Sequence, residues 1–509
     1  MAADDPQAEV VAFLTNDGLG HTRPQRIDTH AASVFLTEDR AWKLKRAIKF
    51  DYLDFSTTQK RKKALETELL LNRRSAPNLY IGIHAVTRDE TGRLQIDGSG
   101  DAIDWLLEMH RFNDDARLDQ LAEAGRFTGP ILIRLADNIH GFHSQTVPVL
   151  HHTGAQSFRN VIGGNTVSMS AFPGILDGPQ RELVSNRQSM LVERFAALLD
   201  ARARSGRVRH AHGDLHLANI AMIDNEPTLF DCLEFSTELA TVDVLYDIAF
   251  LLMDLWHRGH RNEANVIFNR YLDLSPNDED GIALMPLFLS VRAVIRAHVS
   301  AAQSARADGD ATLANRARAY LRLADDILVP VPARLIAIGG LSGTGKSTLA
   351  RCLGDEFGHP PGARILRSDV IRKRRAGVAP EVRLSEAYYG AEESAGVYRV
   401  LYRMVGAALG QGSAVIADAV FARPSERTAV GAITGPMELR FDGIWLVAGE
   451  ADRIERVSAR AADASDADAT VARRQSTLNL GPIKEWHRLC STGKLKKVTE
   501  VASHLLRPS

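Results

Sequence analysis

Residues Gly340-Leu341-Ser342-Gly343-Thr344-Gly345-Lys346-Ser347 read G-x-x-x-x-G-K-S. Glycines at these positions let backbone N–H groups turn inward. The lysine adds a point charge, and the serine offers a hydroxyl to a divalent cation, so the spacing suits a triphosphate with its metal. The run over 334–338 (RLIAI) reads as a short buried strand, and Lys346, Ser347 and Thr348 open a helix, which is the context the motif requires. Phosphate contacts are expected from Gly340, Ser342, Gly343, Thr344, Gly345, Lys346, Ser347 and Thr348. Two carboxylates extend the site: Asp369 follows the strand-like 365–368, and Asp418 follows 415–417. In parallel sheets ligands gather at the carboxyl ends of the strands. Each Asp also reads as a helix cap, and the spacing leaves both roles open.

A second constellation lies upstream. His212-Gly213-Asp214-Leu215-His216-Leu217-Ala218-Asn219 reads H-G-D-x-x-x-x-N, and Asp231 follows a hairpin-like segment with its turn at 224–227. An Asp placed to take a hydroxyl proton, an Asn five residues on and a second Asp beyond a hairpin can converge on one metal–nucleotide group. Such a site also needs a strand lysine paired with a helix glutamate. Lys43, in Ala41-Trp42-Lys43, fits the lysine. Lys45 lies on the same strand face, so the choice stays open, with Glu66 and Glu68 as partners. Each of these four also reads as a solvated surface charge. Residues 104–109 read as a hinge offering backbone groups to a base. Gly18-Leu19-Gly20 is too sparse for a glycine-rich flap. His216 lacks a second His or Cys at ligand spacing and reads as a packing or hydrogen-bonding residue. Cys232 points away from Asp231's side if the segment is extended. The basic run 372–375 reads as a solvated helix face or as a patch for a phosphorylated or nucleic-acid acceptor.

The elements that must position these residues divide into two kinds. Strand-like runs over 33–36 and 41–45 form a hairpin, a helix is predicted over 57–74, and further strands over 80–86 and 94–96. Beyond Trp105 the pattern is mostly helical, through 248–257, 287–302 and 311–328. Val329-Pro330-Val331-Pro332 ends the last helix and forces an extended link. After it, strands over 335–338, 363–366, 414–417 and 439–447 alternate with helices, as in a parallel sheet. The expected domains are therefore 1–330, with α+β order, and 331–509, with α/β order.

The chain has 509 residues, 45% hydrophobic and 25% charged, which excludes a disordered chain, a collagen and a disulfide scaffold. Basic and acidic residues number 62 and 63, a net charge of −1, which argues against a global grip on nucleic acid. The three cysteines, Cys232, Cys352 and Cys490, have no metal-ligand spacing and fit a reducing compartment. The N-terminal segment has no basic-then-apolar signal, and the apolar stretches fall short of the ~20 residues that span a bilayer. A cytoplasmic protein with no membrane partner is expected, its oligomeric state open.

The second part resembles the small P-loop kinases of the zeta-toxin, polynucleotide-kinase and gluconate-kinase type. Ser368-Asp369-Val370-Ile371-Arg372 is similar to their S-D-x-x-R pattern, and 415–421 to their second Asp strand. The resemblance implies that Asp369 accepts the acceptor proton, Arg372 steers substrate or phosphate, Asp418 serves Mg2+ with Ser347, and Arg456 and Arg460 belong to a nucleotide-binding lid. The first part resembles the aminoglycoside-phosphotransferase and choline-kinase-like branch of the protein-kinase fold. That implies Asp214 as base, Asn219 and Asp231 on Mg2+, Lys43 or Lys45 with Glu68 at the ATP phosphates, and Asp247 as a brace of the catalytic loop. Arg292, Arg296 and His298 lie where such enzymes place acceptor contacts, and their charge opposes that of Asp278, Glu279 and Asp280. The whole order is similar to bacterial bifunctional aminoglycoside phosphotransferase/ATP-binding proteins. The resemblances imply a bilobal protein-kinase-like α+β domain followed by an α/β P-loop NTPase domain with a parallel sheet. The expected activity is ATP- and Mg2+-dependent phosphoryl transfer to a hydroxyl of a sugar, amino sugar or related small alcohol. The alternatives are a nucleotide-sensing regulatory protein and a nucleic-acid end kinase.

Overall fold

The computed structural model describes residues 6–16, 18–20, 23–29, 31–50, 53–459 and 464–507. Contacts group residues 1–154 with 200–251 in one compact unit and 155–199 with 252–509 in a second. These units are not cut at the 329–332 link, because the helices over 252–327 group with the P-loop part.

The first unit is built on a six-stranded antiparallel sheet in the order Gln25–Asp28, Ala32–Leu36, Arg40–Lys45, Asp101–His110, Tyr80–Arg88, Leu94–Ile96. Successive strand residues face opposite sides. Leu106 therefore joins Val10, Leu14, Phe35, Leu44 and Val86 on one face, while Leu107 joins Leu65, Leu79 and Tyr80 on the other. The predicted helix is found as Thr58–Asn72, with the Thr57 side chain accepting the N–H of Lys60 as its N-cap. The hinge expected at 104–109 is instead the middle of strand Asp101–His110. Asp104 is buried there and takes both Nε and Nη2 of Arg61 at 2.8 and 2.9 Å. The hairpin after Asn219 pairs Ile220–Ile223 with Glu226–Leu229, and its turn residues Asp224 and Asn225 both have positive φ (51° and 64°). That geometry suits the right-handed twist of a tight hairpin.

The second unit holds a five-stranded parallel sheet in the order Arg364–Arg367, Val415–Asp418, Arg334–Gly339, Arg440–Val447, His487–Cys490. Its central strand is apolar on both faces. Leu335 and Ala337 pack toward Val397, Leu401 and Val405 of helix Ala391–Gly410. Ile336 and Ile338 pack toward Leu349 and Leu353 of helix Lys346–Leu353 and toward Ala502 and Leu506 of helix Leu495–Leu506. Burial on both faces is what makes such strands read as continuous apolar runs. The helical part of this unit includes Arg261–Leu274, Met285–Arg306 and Ala311–Ile327. The helical stretch Pro276–Arg306 is long and apolar enough by composition to cross a membrane, and most of its apolar window is buried in the protein.

One buried ion pair in the first unit tests how strongly these elements are tied. Arg202 is fully buried, and its Nε and Nη2 each meet a carboxylate oxygen of Asp243 at 2.8 Å. Asp243 also accepts the N–H of Leu245 at 2.8 Å, where helix Val244–His257 begins. Removing one partner of a buried pair typically costs about 3–5 kcal/mol. Asp243→Ala should lower unfolding free energy by about 3 kcal/mol in denaturant titrations. The double variant Asp243→Leu with Arg202→Met should recover most of that loss.

Candidate active sites

In the second unit the strand Arg334–Gly339 turns at Gly340 into the loop that opens helix Lys346–Leu353. Gly340, Gly343 and Gly345 have φ of 143°, 84° and 88°. A Cβ on Gly343 would lie 2.5 Å from the Arg453 carbonyl oxygen, so only glycine fits this turn. Ser342, Gly343, Gly345, Lys346, Ser347 and Thr348 line a cavity of about 1310 Å³ together with Asp369, Arg372, Asp418 and Arg456. Two of the expected phosphate contacts do not line it. The Gly340 N–H is donated to the Val420 carbonyl at 3.2 Å, and the buried Thr344 hydroxyl is donated to the Leu341 carbonyl at 2.8 Å. Both residues shape the loop from behind.

The Ser347 hydroxyl donates to Asp418 Oδ2 at 2.5 Å, and Arg367 Nε lies 3.6 Å from the same oxygen. Asp418 is 4% exposed at the end of its strand, and Asp369 stands in the first turn of helix Ser368–Arg375. Burial and the nearby Asp418 push the Asp369 carboxyl above its ordinary value, against the pull of Arg367 and Lys346. A carboxyl lifted in this way is suited to take a proton.

Arg372 is 8% exposed, donates to the Tyr388 carbonyl at 2.6 Å and sits 4.7 Å over the Tyr389 ring. The rest of the basic run is a solvated face no more than it is a nucleic-acid patch. Lys373 is fully buried against Asp466 at 2.5 Å, Arg374 donates to the Leu272 and Asp273 carbonyls at 3.0 Å each, and Arg375 meets Glu393 at 3.2 Å. Glu279, from the acidic run upstream, is taken up by Arg364 at 2.7 Å.

Arg456 donates to the Ser491 carbonyl at 2.8 Å and reaches the Gly343 carbonyl at 3.4 Å. Arg460 lies outside the described residues. Two residues not singled out from sequence join the loop. Gln475 Oε1 accepts the Ser342 N–H at 2.6 Å, and buried Arg453 donates to the Ser342 and Ala472 carbonyls at 3.4 and 3.2 Å. Asp466 accepts from Lys373, from the Tyr389 hydroxyl at 2.5 Å and from the Leu384 N–H at 2.9 Å, fixing the segment that precedes helix Ala469–Ser476.

In the first unit, Asp214 lies on a loop held by Asp247. The N–H groups of Gly213 and His212 donate to Asp247 at 2.8 and 3.2 Å, and His143 Nε2 lies 3.0 Å from the same carboxylate. The Asn219 amide donates to both the carbonyl and Oδ2 of Asp214 at 3.0 Å, so the Asn of the motif fixes its Asp directly. His216 Nε2 is 3.5 Å from Asp214 Oδ2, and its ring packs edge-on to Phe250. Cys232 is fully buried, and its N–H donates to Asn72 Oδ1 at 2.8 Å.

Asp231 has φ +60°, a left-handed conformation rare for non-glycine residues, and its N–H donates to the Tyr80 hydroxyl at 3.1 Å. Lys43 Nζ bridges Asp231 Oδ1 at 2.7 Å and Glu68 Oε1 at 2.6 Å. Lys45 meets the other oxygen of Glu68 at 2.6 Å and also Glu234. The two lysines therefore differ. Lys43 stands beside Asp231, whereas Lys45 is almost wholly enclosed between two carboxylates. Glu66 is exposed and pairs only loosely with Lys62 at 3.8 Å. Burial would lower the Lys43 ammonium, but Asp231, Glu68 and Glu234 raise it well above its ordinary value. Burial would raise the Asp231 carboxyl, and Lys43 holds it down. Asp214 also acts on Asp231 electrostatically, so the two belong to one cluster. Glu234 is lifted by its burial, with Lys45 opposing; the sequence offered no spacing that singled it out.

Residues 335–478 match a family model described as an AAA domain. Over 527 aligned residues the chain is 29% identical to an uncharacterized protein of Mycobacterium tuberculosis, an alignment that covers 97% of this chain and 99% of that one. Among solved structures, a gluconokinase from Sinorhizobium meliloti 1021 matches with 14% identity and a TM-score of 0.25, covering 34% of this chain and 91% of its own. A choline/ethanolamine kinase family protein from Mesorhizobium loti matches with 11% identity and a TM-score of 0.39, covering 63% and 94%. The C-terminal part of the chain is thus a P-loop nucleotide-binding domain on a parallel sheet, and the N-terminal sheet is antiparallel.

The two lysines of the first cluster are separable by experiment. Lys43→Met should weaken nucleotide binding at that cluster about tenfold, the worth of one charge-assisted contact. Lys45→Met strips a cation from two enclosed carboxylates and should instead cost about 3 kcal/mol of stability in denaturant titration. In the P-loop, Lys346→Ala should lower Mg·ATP affinity at least about tenfold by fluorescent-nucleotide titration.

Proposed function

We propose that the chain is an ATP-dependent phosphotransferase with two kinase-type sites, each passing the γ-phosphoryl group to a hydroxyl of a small molecule. One observation carries this reading. Each unit brings together a lysine and two carboxylates: Lys43, Asp214 and Asp231 in one, Lys346, Asp369 and Asp418 in the other. In this reading the domains are 1–330 and 331–509, fused as in the bifunctional aminoglycoside phosphotransferase/ATP-binding proteins. A sugar, amino sugar or related alcohol is the acceptor class, and the protein is cytoplasmic.

The residues present suit Mg·ATP. Glycine at 340 and 343 lets the loop close against Leu446 and Arg453, where a Cβ would collide, and so keeps the turn that lines the cavity. Ser347 and Asp418, joined by a 2.5 Å hydrogen bond, are the pair that would hold the cation there, as Asn219 and Asp231 would in the first unit. Bound Mg2+ would neutralise charge on the phosphates. Asp369 and Asp214 take the proton of the attacking hydroxyl, while Lys346 and Lys43 hold the phosphates. Arg372 orients the acceptor or the transferred group, and Arg456 lies on the nucleotide side. Catalysis of this kind is mostly positioning and charge stabilisation. A nucleic-acid acceptor draws no support from the basic run: Arg372, Lys373 and Arg374 are bonded to groups within the protein, and exposed Arg375 pairs with Glu393.

The test is a screen of small alcohols by ADP release, run on the wild type, Asp214→Asn and Asp369→Asn. Each single variant should lose one activity and keep the other, since sites that share no partner act additively. No ADP above background with any alcohol would defeat the reading. If either single variant silenced both activities while the protein stayed folded and bound ATP, a regulatory arrangement would replace it.

A further inference from the structure

The strand Arg364–Arg367 runs directly into helix Ser368–Arg375, which carries Asp369 and Arg372. This strand is at an edge of the parallel sheet, with Val415–Asp418 as its one strand partner. An edge strand presents unpaired N–H and C=O groups. Here the helix Arg261–Leu274 supplies their partners through side-chain amides. Asn269 Oδ1 accepts the Ile365 N–H at 2.7 Å, and its Nδ2 donates to the Ala363 carbonyl at 3.0 Å. Asn265 Nδ2 donates to the Ala363 and Pro361 carbonyls at 3.0 Å each, and Asn262 Nδ2 donates to the Arg351 carbonyl at 2.6 Å. Residues three and four apart share one helix face; Asn269 and Asn265 stand where the ladder of a sixth strand would be, while Asn262 meets Arg351 of helix Lys346–Leu353.

Charges reinforce the seam. Arg364, 1% exposed, meets Asn269 Oδ1 at 2.9 Å, Asp273 at 2.8 Å and Glu279 at 2.7 Å. Arg374, on the helix that bears Asp369, donates to the Leu272 and Asp273 carbonyls at the C-terminal end of Arg261–Leu274. A cation is favoured at that end of a helix. The approach is close: a Cβ on Gly354 would lie 2.1 Å from Asn265 Oδ1.

We infer that helix Arg261–Leu274 is a working part of the P-loop site, and that Asn265, Asn269 and Arg374 are positioning residues that hold Asp369 in register with Asp418 and Lys346. The inference rests on the reading of Asp369 as the acceptor-side base. The nucleotide loop and Asp418 sit on interior strands with a partner on each side. The strand that leads to Asp369 has a strand on one side and this helix on the other. Loosening its Asn269 and Arg374 contacts alone therefore displaces the base, while Asn262 keeps the helix tied to Arg351 of helix Lys346–Leu353. A shift of about 1 Å at a reacting group costs roughly a hundredfold in rate.

The experiment uses the full chain carrying Asp214→Asn, so that turnover reports the P-loop site. Into it go Asn269→Leu, Arg374→Gln, Arg374→Lys and Gly354→Ala. ADP release is measured with water alone and with any alcohol active in the screen, Mg·ATP affinity with a fluorescent analogue, and amide exchange by mass spectrometry. Asn269→Leu and Arg374→Gln should lose at least about tenfold in ADP release with affinity kept within about twofold. Exchange should rise over 364–375 and not over 346–353. Gly354→Ala should also lower release, with exchange rising at the end of 346–353 that it adjoins as well as over 364–375, and Arg374→Lys should recover most of the rate. Unchanged release and exchange would overturn the inference. So would a fall in affinity that matches the fall in rate, since the helix would then support the whole domain rather than the base. If the parent chain releases no ADP, the phosphotransferase reading fails, and exchange still decides this one: a rise confined to 364–375 supports it, and none overturns it. Arg374→Gln and Gly354→Ala keep the test open should Asn269→Leu fail to fold.

Discussion

A carboxylate withdrawn from water costs several kcal/mol unless a cation or hydrogen-bond donors go with it, and both candidate sites are organised around that constraint. Asp231 is held down by Lys43, which shares Glu68 with Lys45, which in turn holds Glu234. The alternation of two cations with three carboxylates joins the strand Arg40–Lys45, the helix Thr58–Asn72 and the segment after the hairpin at one point. Asp418 is met by Ser347 and Arg367, and Asp247 is surrounded by two backbone N–H groups and His143. In each case the group that satisfies the carboxylate comes from another element, so meeting the electrostatic requirement also fixes the geometry.

Both motifs were legible because their constraints are local. The P-loop glycines answer a backbone requirement visible in a few residues, and the central strand is apolar on both faces, which leaves an uninterrupted run in the sequence. Asp214 and Asn219 lie five residues apart and bond directly. What was hidden depended on distance along the chain. The partners of Lys373 and Asp231 lie 93 and 188 residues away, so no window could distinguish a solvated lysine from a committed one. Residues 104–109, expected as a hinge, lie within the strand Asp101–His110, where Arg61 meets Asp104 from 43 residues away. The fifth parallel strand, His487–Cys490, was missed because Leu489 alone among its residues is buried, which leaves neither alternation nor an apolar run.

The choice between Lys43 and Lys45 shows the same limit at finer scale. Two residues apart on a strand, they point the same way, and one glutamate reaches both with its two oxygens. Pattern alone treats them as equivalent. The difference lies in the third partner: Asp231, at the cluster with Asp214, for Lys43, and Glu234 for Lys45. Glu234 therefore has a role opposite to that of the motif carboxylates. It occupies the second lysine, and Lys43 remains the cation beside the metal-type Asp.

Asp214 and Asp369 are braced by different means that follow from where each sits. Asp214 is in a loop, which has no ladder of its own, and a buried carboxylate, Asp247, gathers the loop's N–H groups instead. Asp369 follows an edge strand, which has half a ladder, and asparagine amides complete it. Both braces lie outside the motifs that carry the chemistry, since a motif fixes which groups are present while their separation is set by whatever satisfies the backbone around them. Buried N–H and C=O groups must be paired wherever they fall. At an edge strand a neighbouring helix can pair them through its side chains alone, and amides serve both sides of the ladder because each carries a donor and an acceptor. Asn269 uses both, accepting from Ile365 and donating to Ala363, which apolar or purely acidic side chains at that position could not do.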